Sequence, residues 1–391
     1  LKTNSMKPTL YLFVLLSQFF AFSPMDYWSH NHSPVHNREH EQICRDTIVD
    51  PHPVHQLSSN HVVDIPPIAG GEILMVSEPC VPDSLHEVLR LQNIRNIDSL
   101  GLNRADSEDT SGRSLVLLGW PLTQAPGFND PSYYVTGNYV DHDNTAGVRD
   151  YNCGTRTYNG HKGIDIGLWP FAWHQQAIGQ VDVIAAQAGV IINKFDGNSD
   201  QNCSCESSNW NAVFVQHSDG SVAWYGHLKN GSLTTKSIGQ SVSQGEYLGK
   251  VASSGCSTGP HLHFELYANS AQTVLVDPYA GSCNSLNGNT SWWANQKPYN
   301  EPNINKLMTH GCEPSQPGGC PANNDIVCAQ NVFSPGSPII VSANYRDQQV
   351  GHVTTFAIRR PNNTVWNSWT HTSPSTYLVS WWLWNWVISP T

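Results

Sequence analysis

The stretch Thr258-Gly259-Pro260-His261-Leu262-His263-Phe264-Glu265-Leu266 alternates polar and apolar side chains after its proline. A period of two belongs to a β-strand, so His261, His263 and Glu265 share one face while Leu262, Phe264 and Leu266 share the other. Working outward, short apolar runs recur over 115–118, 181–186, 190–192, 212–216, 222–225 and 262–266, each of strand length and bounded by Gly, Asn or Asp. Asp219-Gly220 separates two of these runs and favours a tight two-residue type I′ hairpin between 212–217 and 221–227. These signals predict a mainly β chain built on an antiparallel sheet.

Two other stretches carry chemistry. Gly160-His161-Lys162-Gly163-Ile164-Asp165-Ile166-Gly167 sets an imidazole and a carboxylate four apart, and three glycines in that span argue for a turn entering a strand, not a helix. Trp224-Tyr225-Gly226-His227-Leu228 places His227 at the end of the predicted hairpin. His161, His227, His261, His263 and Asp165 thus all sit on or beside strands and can converge. Two imidazoles and a carboxylate leave Zn²⁺ an open position, whereas a structural site is closed by four protein ligands. Further imidazoles beside such a site can accept a proton from a water and hydrogen-bond a developing oxyanion. Each part alone is weak: the chain holds 18 His, and His30-Asn31-His32 repeats the H-x-H pattern in a segment without apolar periodicity. Glu265 reads either as a carboxylate supporting a metal ligand or as an outward ion pair. Tyr225 reads as an oxyanion donor or a core aromatic. His217 is expected as a solvated hairpin residue, and His142 and His174 as surface residues.

Taken together, the three motifs resemble those of the lysostaphin/LytM-type zinc metallopeptidases, peptidase family M23. The resemblance covers roughly 114–300. By matched position it implies that His161, Asp165 and His263 are the ligands of one Zn²⁺ and that His227 and His261 are the catalytic pair. It further implies an antiparallel sheet crossed by a groove, with activity as a zinc metalloendopeptidase on peptidoglycan cross-bridges or stems. The alternatives are a secreted protease of small-residue-rich proteins, or a metal-free LytM-like regulatory or wall-binding module. Retention of every motif residue speaks against the last. Two insertions, 169–180 and 198–209, depart from the shortest family members and are expected to shape the groove. Other hydrolase classes fit less well: H-E-x-x-H is absent, and the cysteines read as disulfides.

The remainder of the chain sets compartment and organisation. Its 391 residues carry a net charge of −11, from 20 Lys+Arg against 31 Asp+Glu, which disfavours a nucleic-acid partner. Met6-Lys7, apolar runs over 10–16 and 19–22, and Ala21-Phe22-Ser23 read as a cleaved signal peptide within 1–23. No later run suits stable membrane insertion. The expected location is therefore secreted, periplasmic or cell-envelope, and the chain is expected to be a monomer. Ten Cys in an exported chain imply disulfides. At least one is expected in each of two groups: Cys256 with Cys283 around the H-x-H strand, and Cys153 with Cys203 or Cys205 around the first motif. The expected divisions are a His/Pro-rich linker or propeptide over 24–112, the peptidase domain over 113–300, a linker over 301–324 and a β-sandwich-like (Ig-like) segment over 325–391. A helix over 83–97 starts from an N-cap at Asp83-Ser84 and turns Leu85, Val88, Leu89 and Ile97 inward. In the last segment Trp382, Trp384 and Trp386 fall on one strand face. They are expected to pack as core against strands that 391 residues do not reach, instead of forming a binding platform.

Overall fold

Residues 261–267 form a strand because their alternating side chains can be buried on both faces only if a sheet lies between two layers. The computed structural model describes residues 63–64, 67–72, 81–103, 117–205, 209–316, 325–360 and 362–387. The signal peptide expected within 1–23 and residues 24–62 of the expected His/Pro-rich linker or propeptide lie outside them. In chain order the elements are β1 Val63–Asp64, β2 Ala69–Glu72, α1 Asp83–Ser99, β3 Leu122–Gln124, β4 Tyr134–Asn138 and β5 Ile164–Leu168. Next come α2 Ala172–Ile178, β6 Val181–Ile184, β7 Gly189–Phe195, β8 Ala212–His217, β9 Val222–Gly226, β10 Ser241–Val242 and β11 Tyr247–Lys250. The last are β12 His261–Tyr267, β13 Leu275–Val276, β14 Asn303–His310, β15 Pro338–Gln348, β16 Val353–Arg359, β17 Val365–Thr372 and β18 Tyr377–Val387.

The largest sheet runs β10-β7-β8-β9-β12-β5-β4, with β13 also paired to β12. Its ladders are antiparallel throughout. On one face Ile164, Ile166, Val213, Val215, Tyr225, Leu262 and Phe264 pack against Val181, Val183 and Leu248 of the β11-β6-β3 sheet. On the other, Phe214, Trp224 and Tyr267 meet Leu89 and Ile97 of α1. Burial of each large apolar side chain contributes roughly 1.5–3 kcal/mol, so the two layers fix the register of β12 between β5 and β9.

Local details depart from the sequence expectations for identifiable reasons. The β8–β9 loop has three residues, not two. The His217 amide donates to Ser221 O and the Gly220 amide to His217 O, and Gly220 takes φ +88°. This is a type I turn closed by a left-handed glycine. Helix α1 starts after Pro82, at Asp83, without a side-chain cap bond. Its buried positions are His86, Leu89, Asn93 and Ile97, whereas Val88 is 49% exposed. Polar contacts rotate the stripe: Asn93 donates to Gln272 Oε1 (3.0 Å) and Asn96 to Ile192 O (2.9 Å). Of the expected strand over 115–118, Leu118 makes only an isolated bridge to Trp293, and 115–116 lie outside the described residues.

Two histidines read as solvent-facing are buried. His142 sits between Asp277 Oδ2 (2.9 Å) and Ser285 Oγ (3.1 Å), and burial pushes the Asp277 carboxyl up despite that hydrogen bond. His217 donates from Nδ1 to Ser221 Oγ at 2.9 Å, the serine hydroxyl being spent on Asp219. Burial pushes its imidazole down to about 4, against the opposing pull of Asp219. Between that value and the unfolded value of about 6.5 the unfolded chain binds the extra proton. The stability His217 contributes is therefore whole above pH ~6.5 and lost as pH falls toward 4, by roughly 3 kcal/mol at the acid end. His217→Gln is expected to flatten that limb of a pH–melting curve, and an unchanged limb would contradict the assignment. His174, the third of this set, is half-buried within α2.

The cysteines pair across the two expected groups: Cys153 with Cys283 and Cys205 with Cys256, and a further bond joins Cys312 to Cys328. Pairing within each group is thus replaced by pairing between them, because strand order brings the loop after the first motif to the loop before β12.

Beyond the large sheet, β14-β15-β18-β2 and β16-β17-β1 form two further sheets. β14 lies inside the stretch expected as a linker. Trp382, Trp384 and Trp386 do share a face, and it is covered by strands of this chain. Trp384 and Trp386 lie against Trp369 at ring centroids of 5.6 and 4.4 Å, and Phe356 lies 5.0 Å from Trp384. β18 is paired on both sides, by β15 and by β2. A polar seam joins this part to β4. Arg346 binds Ser132 Oγ, Asn305 donates to Tyr134 O (2.9 Å) and Trp169 O (3.1 Å), and Arg156 pairs with Asp347 at 3.0 Å. The insertion 169–180 holds α2, whose Trp173 and His174 amides donate to Asp325 Oδ2.

Candidate metal and catalytic site

Register assembles the site. In the ladders around β12, His263 stands opposite Asp165 of β5 and opposite Gly226 of β9, the residue before His227. Directly paired positions hold their side chains on the same face a few ångströms apart, so three motifs scattered over a hundred residues meet. His161 Nε2 lies 3.2 Å from Asp165 Oδ1 and 3.4 Å from His263 Nδ1, and His263 Nδ1 lies 2.9 Å from Asp165 Oδ1. All three side chains are buried.

The other polar atom of each member of this trio is held as well. His161 Nδ1 donates to Tyr139 O at 2.7 Å, which turns Nε2 toward the cluster. His263 Nε2 lies 2.8 Å from Glu265 Oε1, which turns Nδ1 toward Asp165 and His161. Asp165 Oδ2 accepts from Asn138 Nδ2 at 3.0 Å, leaving Oδ1 inward. Partners of this kind orient ligands and raise their basicity. Burial would raise the Asp165 pKa, but the His161 and His261 imidazoles and the hydrogen bonds from His161 and His263 hold it well below the usual carboxylate range. Glu265 behaves likewise: burial opposes its charge, and His86 with His263 hold it low.

His227 and His261 stand beside the trio, with ring centroids 4.4 Å apart. Their Nδ1 atoms are taken by backbone carbonyls, His227 by Ser254 O (2.5 Å) and His261 by Gly259 O (2.8 Å). The other ring nitrogen of His261, Nε2, is 3.6 Å from Asp165 Oδ1. His227 ends β9 at φ +63°, a conformation that a non-glycine residue rarely takes and that recurs at functional sites. Two glycines make room. A Cβ on Gly163 would stand 2.7 Å from His263 Cε1, and one on Gly226 would collide with the Trp210 ring, which lies edge-on to His227.

The loop before β12 also reads Gly255-Cys256-Ser257-Thr258-Gly259, the spacing of a serine-hydrolase elbow, but a strand follows it where that motif needs a helix. Ser257 Oγ is bonded to Ser253 Oγ (2.7 Å) and Gly259 O (3.0 Å), and His261 Nδ1 prefers Gly259 O. The serine braces the loop.

All five sequence-predicted site residues converge. His86, Tyr267 and Asn138 were missed. Tyr267 continues the period-two face of β12 and was legible from that alternation. Asn138 and His86 reach the site from distant elements and leave no local signal.

A donor set of two neutral imidazoles and a carboxylate suits a zinc ion with an open position. Tetrahedral bonds of about 2.0–2.1 Å set neighbouring donors ~3.3 Å apart, close to the three spacings here. Among the described residues this trio is the one group of His, Cys, Asp and Glu placed to hold a metal.

Residues 159–278 match the model of peptidase family M23. Peptidoglycan DD-endopeptidase ShyC of Vibrio cholerae is 28% identical over 165 residues, 40% of this chain and 36% of that protein. Cell division protein DipM of Caulobacter vibrioides is 44% identical over 71 residues, 17% of this chain and 11% of that protein. The chain thus matches 36% of the length of one curated relative and 11% of the other. Among solved structures, the catalytic domain of lysostaphin from Staphylococcus simulans matches 37% of this chain and 89% of its own, at 24% identity and a TM-score of 0.25. The stretch that matches the model of peptidase family M23, residues 159–278, is the segment that carries the site.

Proposed function

We propose that the chain is a zinc metalloendopeptidase that hydrolyses peptide bonds in the cross-bridges or stems of peptidoglycan. The observation that supports this reading is the convergence of His161 Nε2, Asp165 Oδ1 and His263 Nδ1, mutually 2.9 to 3.4 Å apart, with the rings of His227 and His261 beside them. His161, Asp165 and His263 would hold the ion, which when bound supplies Lewis acidity to a water and to a peptide carbonyl. His227 and His261 do the proton work. Each has Nδ1 locked on a carbonyl, so Nε2 can accept a proton from water or, once protonated, donate to the oxygen that gains charge. Fixing both rings beforehand removes the reorganisation that free imidazoles would need. A metal-free regulatory role is disfavoured because every donor and its supporting bond is kept.

The wall as substrate is supported by the likeness to ShyC, a peptidoglycan DD-endopeptidase, and so is action in the cell envelope, reached through the signal-like 1–23. No helix among the described residues is long and apolar enough to cross a membrane. A digest of purified peptidoglycan by the zinc-loaded protein, resolved by mass spectrometry, is expected to release fragments cut within the peptide moieties. Intact peptidoglycan beside cleaved casein or elastin would overturn the wall reading in favour of a protease of small-residue-rich proteins.

The division at about residue 300 belongs to the same proposal. A chain ending at Asn300 is expected to keep metal and activity but to melt at lower temperature. It loses the Arg156–Asp347 pair and the bonds of Asn305 to Tyr134 and Trp169. Loss of zinc at full folding would show the division to be wrong.

A further inference from the structure

We propose that His86 of α1 is a positioning residue of the metal site, which acts through Glu265 to fix the nitrogen that His263 turns inward. The proposal rests on the zinc reading above. An imidazole that binds a metal through Nδ1 must carry its proton on Nε2, and that proton needs an acceptor held in place. Glu265 Oε1 is that acceptor, at 2.8 Å from His263 Nε2. A carboxylate on two rotatable bonds does not aim itself. Here the second oxygen is clamped: Tyr267 donates to Oε2 at 2.6 Å and His86 Nε2 lies 3.0 Å from the same atom, with Tyr267 Oη 2.7 Å away. Glu265 is 1% exposed, so no solvent substitutes for either donor.

His86 is itself fixed. Its ring stacks on Trp224 with centroids 4.6 Å apart and planes at 24°, and α1 is pinned to the sheet on either side. Arg90 donates to Ala271 O, and Asn93 bonds both Gln272 and Asn193. The chain α1–His86–Glu265–His263 therefore carries the placement of a helix to a metal donor. It also makes α1, which lies in the stretch expected as a linker or propeptide, a working part of the peptidase domain.

The test uses the full chain and zinc alone. His86→Leu keeps the bulk and removes the donor, and His86→Gln restores an N–H at nearly the same reach. Zinc affinity is read by competition with a chelator, beside circular dichroism and melting. His86→Leu is expected to bind zinc about 10- to 100-fold more weakly, with His86→Gln recovering most of the loss at the same melting temperature as His86→Leu. A folded His86→Leu with wild-type affinity, or a His86→Gln as weak as His86→Leu, overturns the proposal. Should His86→Leu fail to fold, Tyr267→Phe removes the other donor from Oε2, and unchanged affinity there overturns it too. A wild-type chain that holds no zinc fails the zinc reading and this proposal together, whereas the variant outcomes fail the proposal alone.

Discussion

His263→Ala is expected to leave the protein without zinc and without peptidase activity. The substitution removes one of three donors and also strips Glu265 Oε1 of its partner at a buried position. An orphaned buried acceptor costs about 1–3 kcal/mol, more when charged, so melting should fall as well. With the ion gone, turnover should drop toward background, and even modest enzymes accelerate about 10⁶-fold. Elemental analysis is the check. Stoichiometric zinc retained in His263→Ala would remove this residue from the donor set.

The second large effect separates the proposed catalytic pair from the proposed ligands. His227→Ala and His261→Ala are each expected to keep zinc and to lose roughly 10²-fold or more in turnover, as when one pre-aimed donor is deleted elsewhere. Neither imidazole is needed to complete the donor trio, and each is oriented by a carbonyl of the loop before β12, Ser254 for one and Gly259 for the other. That loop is braced by the Cys205–Cys256 bond and by Asn202, which donates to Gly255 O at 2.7 Å. Metal loss in either variant would move that histidine into the ligand set. Unchanged turnover would remove it from the proton path.

The site was legible in the sequence because its residues lie on a short-range pattern. His261, His263, Glu265 and Tyr267 alternate on one strand, and the period alone places them on one face. Asp165 and His227 then join by register with the two strands that flank it. The sheet was legible for the same reason, since apolar runs of strand length bounded by turn residues have few other ways to be buried. What the pattern could not show depends on contacts between distant segments. His142 and His217 carry no local mark of burial, yet one is enclosed by Asp277 and Ser285 and the other by its own turn. α1 has a weak apolar stripe, and its buried face is decided by Glu265, Gln272 and Asn193 on strands and loops a hundred or more residues away. The tryptophan row of β18 looked short of covering strands because β2, from far upstream, completes its sheet while β16 and β17 close over it. Disulfide partners likewise follow the strand order, which spacing does not encode.

The central claim is that one zinc ion sits among His161, Asp165 and His263. Anomalous diffraction at the zinc edge from crystals of the zinc-loaded chain tests it most directly. A single peak bonded to His161 Nε2, Asp165 Oδ1 and His263 Nδ1, with the Nε2 atoms of His227 and His261 facing it unbonded, is the predicted result. A peak ligated by His227 or His261 in place of any of the three, or no peak at this site from a chain that cleaves its substrate, would contradict it.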